Sequence, residues 1–111
     1  MRRPSAKKGD ELAAVVPALH DLTDRILYDE VWERPGLSKR DRSLVTIAAL
    51  VAMYRPEQIE SHLALGLKNG LTKEEIGEAL AHLAFYASWP SAISASRKFL
   101  DLVHKMEAGQ S

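Results

Sequence analysis

Arg42-Ser43-Leu44-Val45-Thr46-Ile47-Ala48-Ala49-Leu50-Val51-Ala52-Met53 is the stretch that decides the fold. As a helix it carries apolar side chains in nearly every direction, and a helix apolar all round has to be covered on all sides. It therefore predicts a central helix, opening after Ser38 and running to about Tyr54. Ser38 is a good N-cap, and Asp41 falls at the third helical position, where its charge suits the positive end of the dipole. A chain of 111 residues is small for wrapping such a helix alone, because a domain of this size leaves roughly a third of its unfolded surface exposed. Part of the cover is expected from other subunits.

Downstream, Pro56 opens a second helix at a position where proline is favoured, with Glu57 and Glu60 in its first turns. Ile59, His62, Leu63, Gly66 and Leu67 form its inward stripe. Gly66 costs about 1 kcal/mol against alanine in a helix interior, so its presence predicts a close approach by another backbone. Asn69-Gly70-Leu71 reads as a stop, with Gly70 in the left-handed conformation and Leu71 folding back onto the helix. Thr72-Lys73-Glu74-Glu75 is a capping box that restarts the chain at once. On the restarted helix Ile76, Leu80, Leu83 and Ala87 make an apolar stripe, and Glu75, Ala79, His82 and Tyr86 a more polar one. Trp89-Pro90 ends it, and a last helix from about Pro90 to Lys105 turns Ala92, Ala95, Phe99, Leu102 and Val103 inward.

Upstream, Val31 to Leu37 reads VWERPGL, a turn marked by Pro35-Gly36 with Trp32 as its anchor. Before it, Asp10 is placed to cap a short helix that Pro17 interrupts, and a fresh helix from Pro17 to about Tyr28 or Asp29 puts Leu19, Leu22 and Ile26 on one face. Residues 1–9 read as a flexible basic arm, and 10–111 as a single helical domain. No strand pattern occurs. The expected class is all-α, a compact bundle of about five to six helices.

Composition narrows the function. There is no cysteine, which excludes a disulfide scaffold, a thiolate metal site and thiol redox chemistry. Of the fifteen Lys and Arg residues four lie at Arg2, Arg3, Lys7 and Lys8, which leaves eleven basic against fifteen acidic residues in the remainder. A nucleic-acid binder needs a basic face on its folded part, so nucleic acid is not an expected partner. No stretch is long and apolar enough for a membrane span, no export signal is recognisable, and a cytoplasmic location is expected.

His62 is the most interesting single residue, because an imidazole in an apolar stripe can act as acid or base near neutral pH. A lone histidine on such a face is more often a satisfied core residue. His82 and Tyr86 stand one turn apart, with Glu78 equally placed to hold His82. Arg34, Arg40, Arg42 and Arg55 gather around the two ends of the central helix, where some can grip carboxylates as planar forks and the others form surface or interface salt bridges. No HExxH spacing links the four histidines and no carboxylate cluster has metal geometry, so no metal is expected. Ser43, Ser88 and Ser91 lack an adjacent base with an orienting partner.

Taken together, Trp32-x-Arg34-Pro35-Gly36-Leu37, Arg42-Ser43-Leu44-Val45-Thr46-Ile47-Ala48, His62-Leu63, Asn69-Gly70-x-Thr72, Glu75, and Tyr86 with Pro90 resemble the carboxymuconolactone decarboxylase family over about residues 32–95. The resemblance implies a small all-α protein, alkylhydroperoxidase D-like in fold, assembled as a trimer or hexamer. It implies a cofactor-free decarboxylase of a carboxylated lactone such as 4-carboxymuconolactone, in aromatic-compound catabolism. By the same resemblance His62 is the proton donor, Arg34, Arg42 and Arg55 bind substrate carboxylates, and Tyr86 and Trp89 line the site and exclude water. The alkylhydroperoxidase D branch carries a CxxC pair upstream of the histidine that aligns with His62; those positions would be Arg55 and Gln58 here, so peroxidase chemistry is absent. The namesake's Tyr-x-Gly-x-Pro stretch reads Tyr86-Ala87-Ser88-Trp89-Pro90.

Two functions stay open at this level. One is the decarboxylase; the other is a non-decarboxylating member of the family that serves as a binding or assembly module. The surroundings of His62 separate them, an enclosed pocket between subunits with two or more arginines favouring the enzyme and a filled core favouring its rival. A helix-turn-helix regulator is a third and distant option, since Thr72 to Leu83 carries only Lys73 as a basic residue.

Overall fold

The helix that begins at Lys39 is held open at its first turn by Ser38, whose hydroxyl accepts from the Asp41 amide at 3.0 Å. A computed structural model describes residue 1 and residues 11–109. Among them every regular element is helical: α1 (Leu12–Val15), α2 (Pro17–Leu22) continuing without a break as a π-helical stretch (Thr23–Val31), α3 (Lys39–Ala52), α4 (Pro56–Lys68), α5 (Lys73–Tyr86) and α6 (Trp89–Glu107). Apart from Met1, the basic arm and Asp10 lie outside the described residues.

α3 is the central helix, and it packs against α4, α5 and α6. Ser43, Ile47 and Val51 recur every four residues on its inner stripe and are buried. Ile47 and Val51 meet Ile59 and Leu63 of α4, Leu71, Ile76 and Leu80 around α5, and Ala95 and Leu102 of α6 in one core cluster. Fully burying an aliphatic side chain of this size contributes about 1.5–3 kcal/mol, so this stripe anchors the bundle. The opposite stripe is bare within one chain: Val45 is 61% and Met53 56% exposed. α3 also stops at Ala52, two residues before the expected end, because Tyr54 takes a positive φ of 46° that turns the chain toward α4.

The stop after α4 forms as the sequence implies. Gly70 has φ 113°, Leu71 N–H donates to the Gly66 carbonyl at 2.9 Å, and the Gly70 N–H donates to Leu67 at 3.2 Å. This double closure satisfies two carbonyls that a helix end leaves open. Thr72 and Glu75 then complete the capping box, the Glu75 amide donating to the Thr72 hydroxyl at 3.0 Å and the Thr72 amide to the Glu75 carboxylate at 2.9 Å. The close approach predicted at Gly66 is real but its partners are side chains, not a backbone. A β-carbon there would lie 3.0 Å from Leu71 Cδ1 and 3.1 Å from Ile47 Cδ1.

Two ends differ from expectation. Ser88 caps α6 by accepting from the Ser91 amide at 3.1 Å, so Trp89 and Pro90 are the first two residues of the last helix. Pro90 is tolerated there because in the first turn its missing N–H has no intrahelical acceptor and its ring has no preceding turn to meet. At the other end of the chain, the helix from Pro17 continues to Val31, and its second half is π-helical. Leu19 and Leu22 are more than 40% exposed, while Tyr28 and Trp32 are the residues that go inward, packing on Leu65 of α4. The 3.6-residue stripe assumed at Leu19, Leu22 and Ile26 fails because α1 and α2 pack mainly on each other and on the π stretch, and the π turn changes which residues share a face.

Candidate active site

α4 delivers His62 to the side of the bundle that the π stretch covers. Its position on the stripe Ile59, His62, Leu63, Gly66 makes the residue 9% exposed. The imidazole stacks on Trp32 with ring centres 6.3 Å apart, and Trp32 stacks in turn on Tyr28 at 5.7 Å. The Tyr28 hydroxyl lies 3.5 Å from His62 Nε2. Burial pushes the imidazole below its ordinary pKa of 6.5, since an apolar setting disfavours the charged ring. At neutral pH His62 is therefore uncharged in the free protein.

Among the described residues, two side-chain polar atoms are buried without a hydrogen-bond partner: His62 Nδ1 and Arg42 Nε. Leaving such a group unpaired costs about 1–3 kcal/mol, so both are exceptions that call for a role. Arg42 sits in the first turn of α3, and its Nη2 donates to the Arg34 carbonyl at 3.0 Å. With Trp32, Leu37, Val45 and Thr46 it lines a hollow of about 180 Å3. Trp32 thus borders both orphaned groups, touching the His62 ring and walling the Arg42 hollow.

The other expected site residues are placed elsewhere. Arg34 meets Arg42 through its backbone, and its own side chain is exposed. Arg55 lies past the far end of α3, donating to the Met53 carbonyl at 3.2 Å. A 14-residue helix is about 20 Å long, which separates Arg55 from Arg42 within one chain. Tyr86 and Trp89, 81% and 57% exposed, stand at the corner between α5 and α6. There Tyr86 stacks on His82 at 4.7 Å and Trp89 meets Phe85 edge-on at 5.3 Å. No described contact joins this aromatic group to His62. Arg40 pairs with Glu75 and with Asp41, which makes it one of the ordinary salt-bridge arginines.

One hollow, about 690 Å3 between α3 and α5, is a poor seat for an anion. Its floor is apolar, Glu74, Glu75 and Glu78 stand around it, and the guanidinium that lines it, Arg40, is already paired with Glu75 and Asp41. Like charges there repel a carboxylate. Among the described residues no three His, Cys, Asp or Glu side chains are grouped to hold a metal, and no helix is long and apolar enough to cross a membrane.

Sequence reasoning missed Tyr28 as a partner of His62 and read Trp32 only as a loop anchor. The signal was present as two large aromatic residues four apart, a spacing that puts both on one side of a helical turn.

The sequence model described as the carboxymuconolactone decarboxylase family matches residues 17–101. The chain is 44% identical over 71 residues to a 4-carboxymuconolactone decarboxylase of Acinetobacter baylyi, a match covering 64% of this chain and 53% of that protein. It is 36% identical over 84 residues to a nitrosuccinic acid decarboxylase of Metarhizium robertsii, covering 72% of this chain and 59% of that one. The matched part therefore spans little more than half the length of these relatives.

Proposed function

Because the chain belongs to the carboxymuconolactone decarboxylase family, we propose that it is a cofactor-free, cytoplasmic decarboxylase of a small carboxylated lactone such as 4-carboxymuconolactone, acting in aromatic-compound catabolism. The observation that carries this is the pair of orphaned groups beside Trp32, a buried imidazole nitrogen and a buried guanidinium N–H. One suits a proton transfer and the other a carboxylate. The rival reading, a binding module without chemistry, has less behind it, since both named relatives are decarboxylases.

The chemistry asks little of the protein. In 4-carboxymuconolactone the departing carboxylate leaves its electron pair on a carbon conjugated through a C=C bond to the lactone carbonyl, so the substrate itself holds the charge as a dienolate. A nitro group is a comparable electron sink. The protein has to hold the anion, keep water out and return one proton to carbon. Arg42, backed by Arg34, grips a carboxylate. His62 is neutral in the free enzyme, and the arriving anion favours the charged ring, so the imidazole takes up a proton from solvent and the resulting imidazolium is the acid. CO2 departs, the proton passes from His62 to the carbon, and His62 is again neutral.

Tyr86 and Trp89, which no described contact joins to His62, enter such a site where a second copy presents them, and Arg55, about a helix length from Arg42, joins Arg42 in the same way. Exposed Val45 on α3, Met53 just past its end, and Leu19 and Leu22 on α2 support a homo-oligomer, a trimer or a hexamer. The test is to incubate the purified protein with 4-carboxymuconolactone, nitrosuccinate and related acids while following CO2 and ring absorbance. Release from none of them overturns the decarboxylase reading.

A further inference from the structure

We propose that Tyr28 is the positioning residue of His62: its phenol occupies Nε2, so Nδ1 is the nitrogen that handles the proton. The kinetic part of this inference rests on the decarboxylase reading; the geometric part does not.

A hydroxyl both donates and accepts, so one Tyr28 oxygen can serve two states of the ring. It accepts from Nε2–H in the neutral tautomer that leaves Nδ1 bare and equally in the imidazolium, so a proton enters and leaves at Nδ1 while Nε2 stays occupied. The contact of 3.5 Å is long, as hydrogen bonds at unliganded sites often are before a substrate tightens them. Trp32 fixes the plane of the ring, lying 14° from Tyr28 and 23° from His62 in the stack, so the imidazole cannot readily turn over and exchange its nitrogens. With Nε2 engaged, Nδ1 remains buried and unpaired. A bound molecule is the partner it lacks.

The backbone that presents Tyr28 is itself unusual. The nine residues Thr23–Val31 form a π-helix, closed at its end by the Trp32 N–H donating to the Leu27 carbonyl at 2.9 Å. Thr23 stands at the transition and donates to the Leu19 carbonyl at 2.7 Å. Such back-bonding bends helices, and π turns concentrate at functional sites. Here the π stretch brings Tyr28 to the imidazole edge while Trp32 covers its face.

The experiment is a pair of measurements on Tyr28→Phe, which keeps the stacked ring and removes only the hydroxyl. Histidine 15N resonances, assigned through His62→Gln, report each ring nitrogen. The expected result is a shift at Nε2 of His62 with Nδ1 little changed, and a kcat about tenfold lower at a KM within about twofold. An unmoved Nε2, in an active enzyme or an inactive one, overturns the positioning role. A moved Nε2 in a protein that releases no CO2 from any acid supports the pairing while ending the decarboxylase reading. If Tyr28→Phe fails to fold, the unmodified protein decides the matter: Nε2 at the value of a nitrogen without a hydrogen bond overturns the proposal, and a hydrogen-bonded value upholds it.

Discussion

Replacing His62 by leucine is expected to make the protein more stable at neutral pH while abolishing the proposed decarboxylation. Leucine nearly fills the imidazole's place beside Trp32 and removes Nδ1, whose burial without a partner costs about 1–3 kcal/mol. Against this stands the loss of the Tyr28 contact, which at 3.5 Å is a weak bond of about 0.5–1 kcal/mol. The balance is a stabilisation of about 1 kcal/mol, which for a domain of this size raises Tm by about 4 °C. The gap should widen in acid. Because the folded protein holds the His62 pKa below 6.5, the unfolded chain binds the extra proton first as the pH drops. The wild type therefore loses stability from pH 6.5 down through the folded pKa, with a slope of at most about 1.4 kcal/mol per pH unit. The leucine variant lacks that slope, and the carboxylates common to both proteins cancel in the comparison. Thermal unfolding of the two proteins across pH 5 to 8 is the assay. A leucine variant less stable by more than about 1 kcal/mol at pH 7 would refute the reasoning, since Nδ1 must then be well partnered.

Arg42→Ala should raise KM with kcat nearly unchanged, because the proposed grip on a carboxylate would act in ground and transition states alike; steady-state kinetics separate the two constants. Val45→Glu should lower the assembled mass in light scattering, as Val45 is 61% exposed on the bare stripe of α3, and a stable wild-type monomer at micromolar concentration ends the oligomer proposal. Gly66→Ala should destabilise by about 1 kcal/mol despite the better helix former, since its β-carbon meets Leu71 and Ile47 at 3.0 and 3.1 Å and overpacking outweighs propensity. An unchanged or higher Tm would mean those side chains withdraw freely.

The stretches whose structure follows from local chemistry were legible in advance. Ser38, Gly70 with Leu71, and the Thr72–Glu75 box each act within a few residues of themselves, so their hydrogen bonds depend on little beyond the neighbouring chain. The inner stripe of α4 was legible for a related reason: Ile59, Leu63 and Gly66 repeat at helical spacing, and one apolar face must find cover whatever supplies it. His62 was singled out from that stripe, together with its family position, and its burial agrees.

What the sequence could not decide is what lies opposite each face. The apolar run of α3 required cover all round, yet only the packed chain distinguishes Ile47 and Val51, which this chain buries, from Val45 and Met53, which it leaves bare. The change from α to π turns after Leu22 altered which residues face inward, a choice made by the contact of Tyr28 and Trp32 with Leu65. The His62 environment depended on the same docking. An imidazole's neighbours, its burial and hence its charge are set by side chains far away in sequence, and these become defined only when the helices meet.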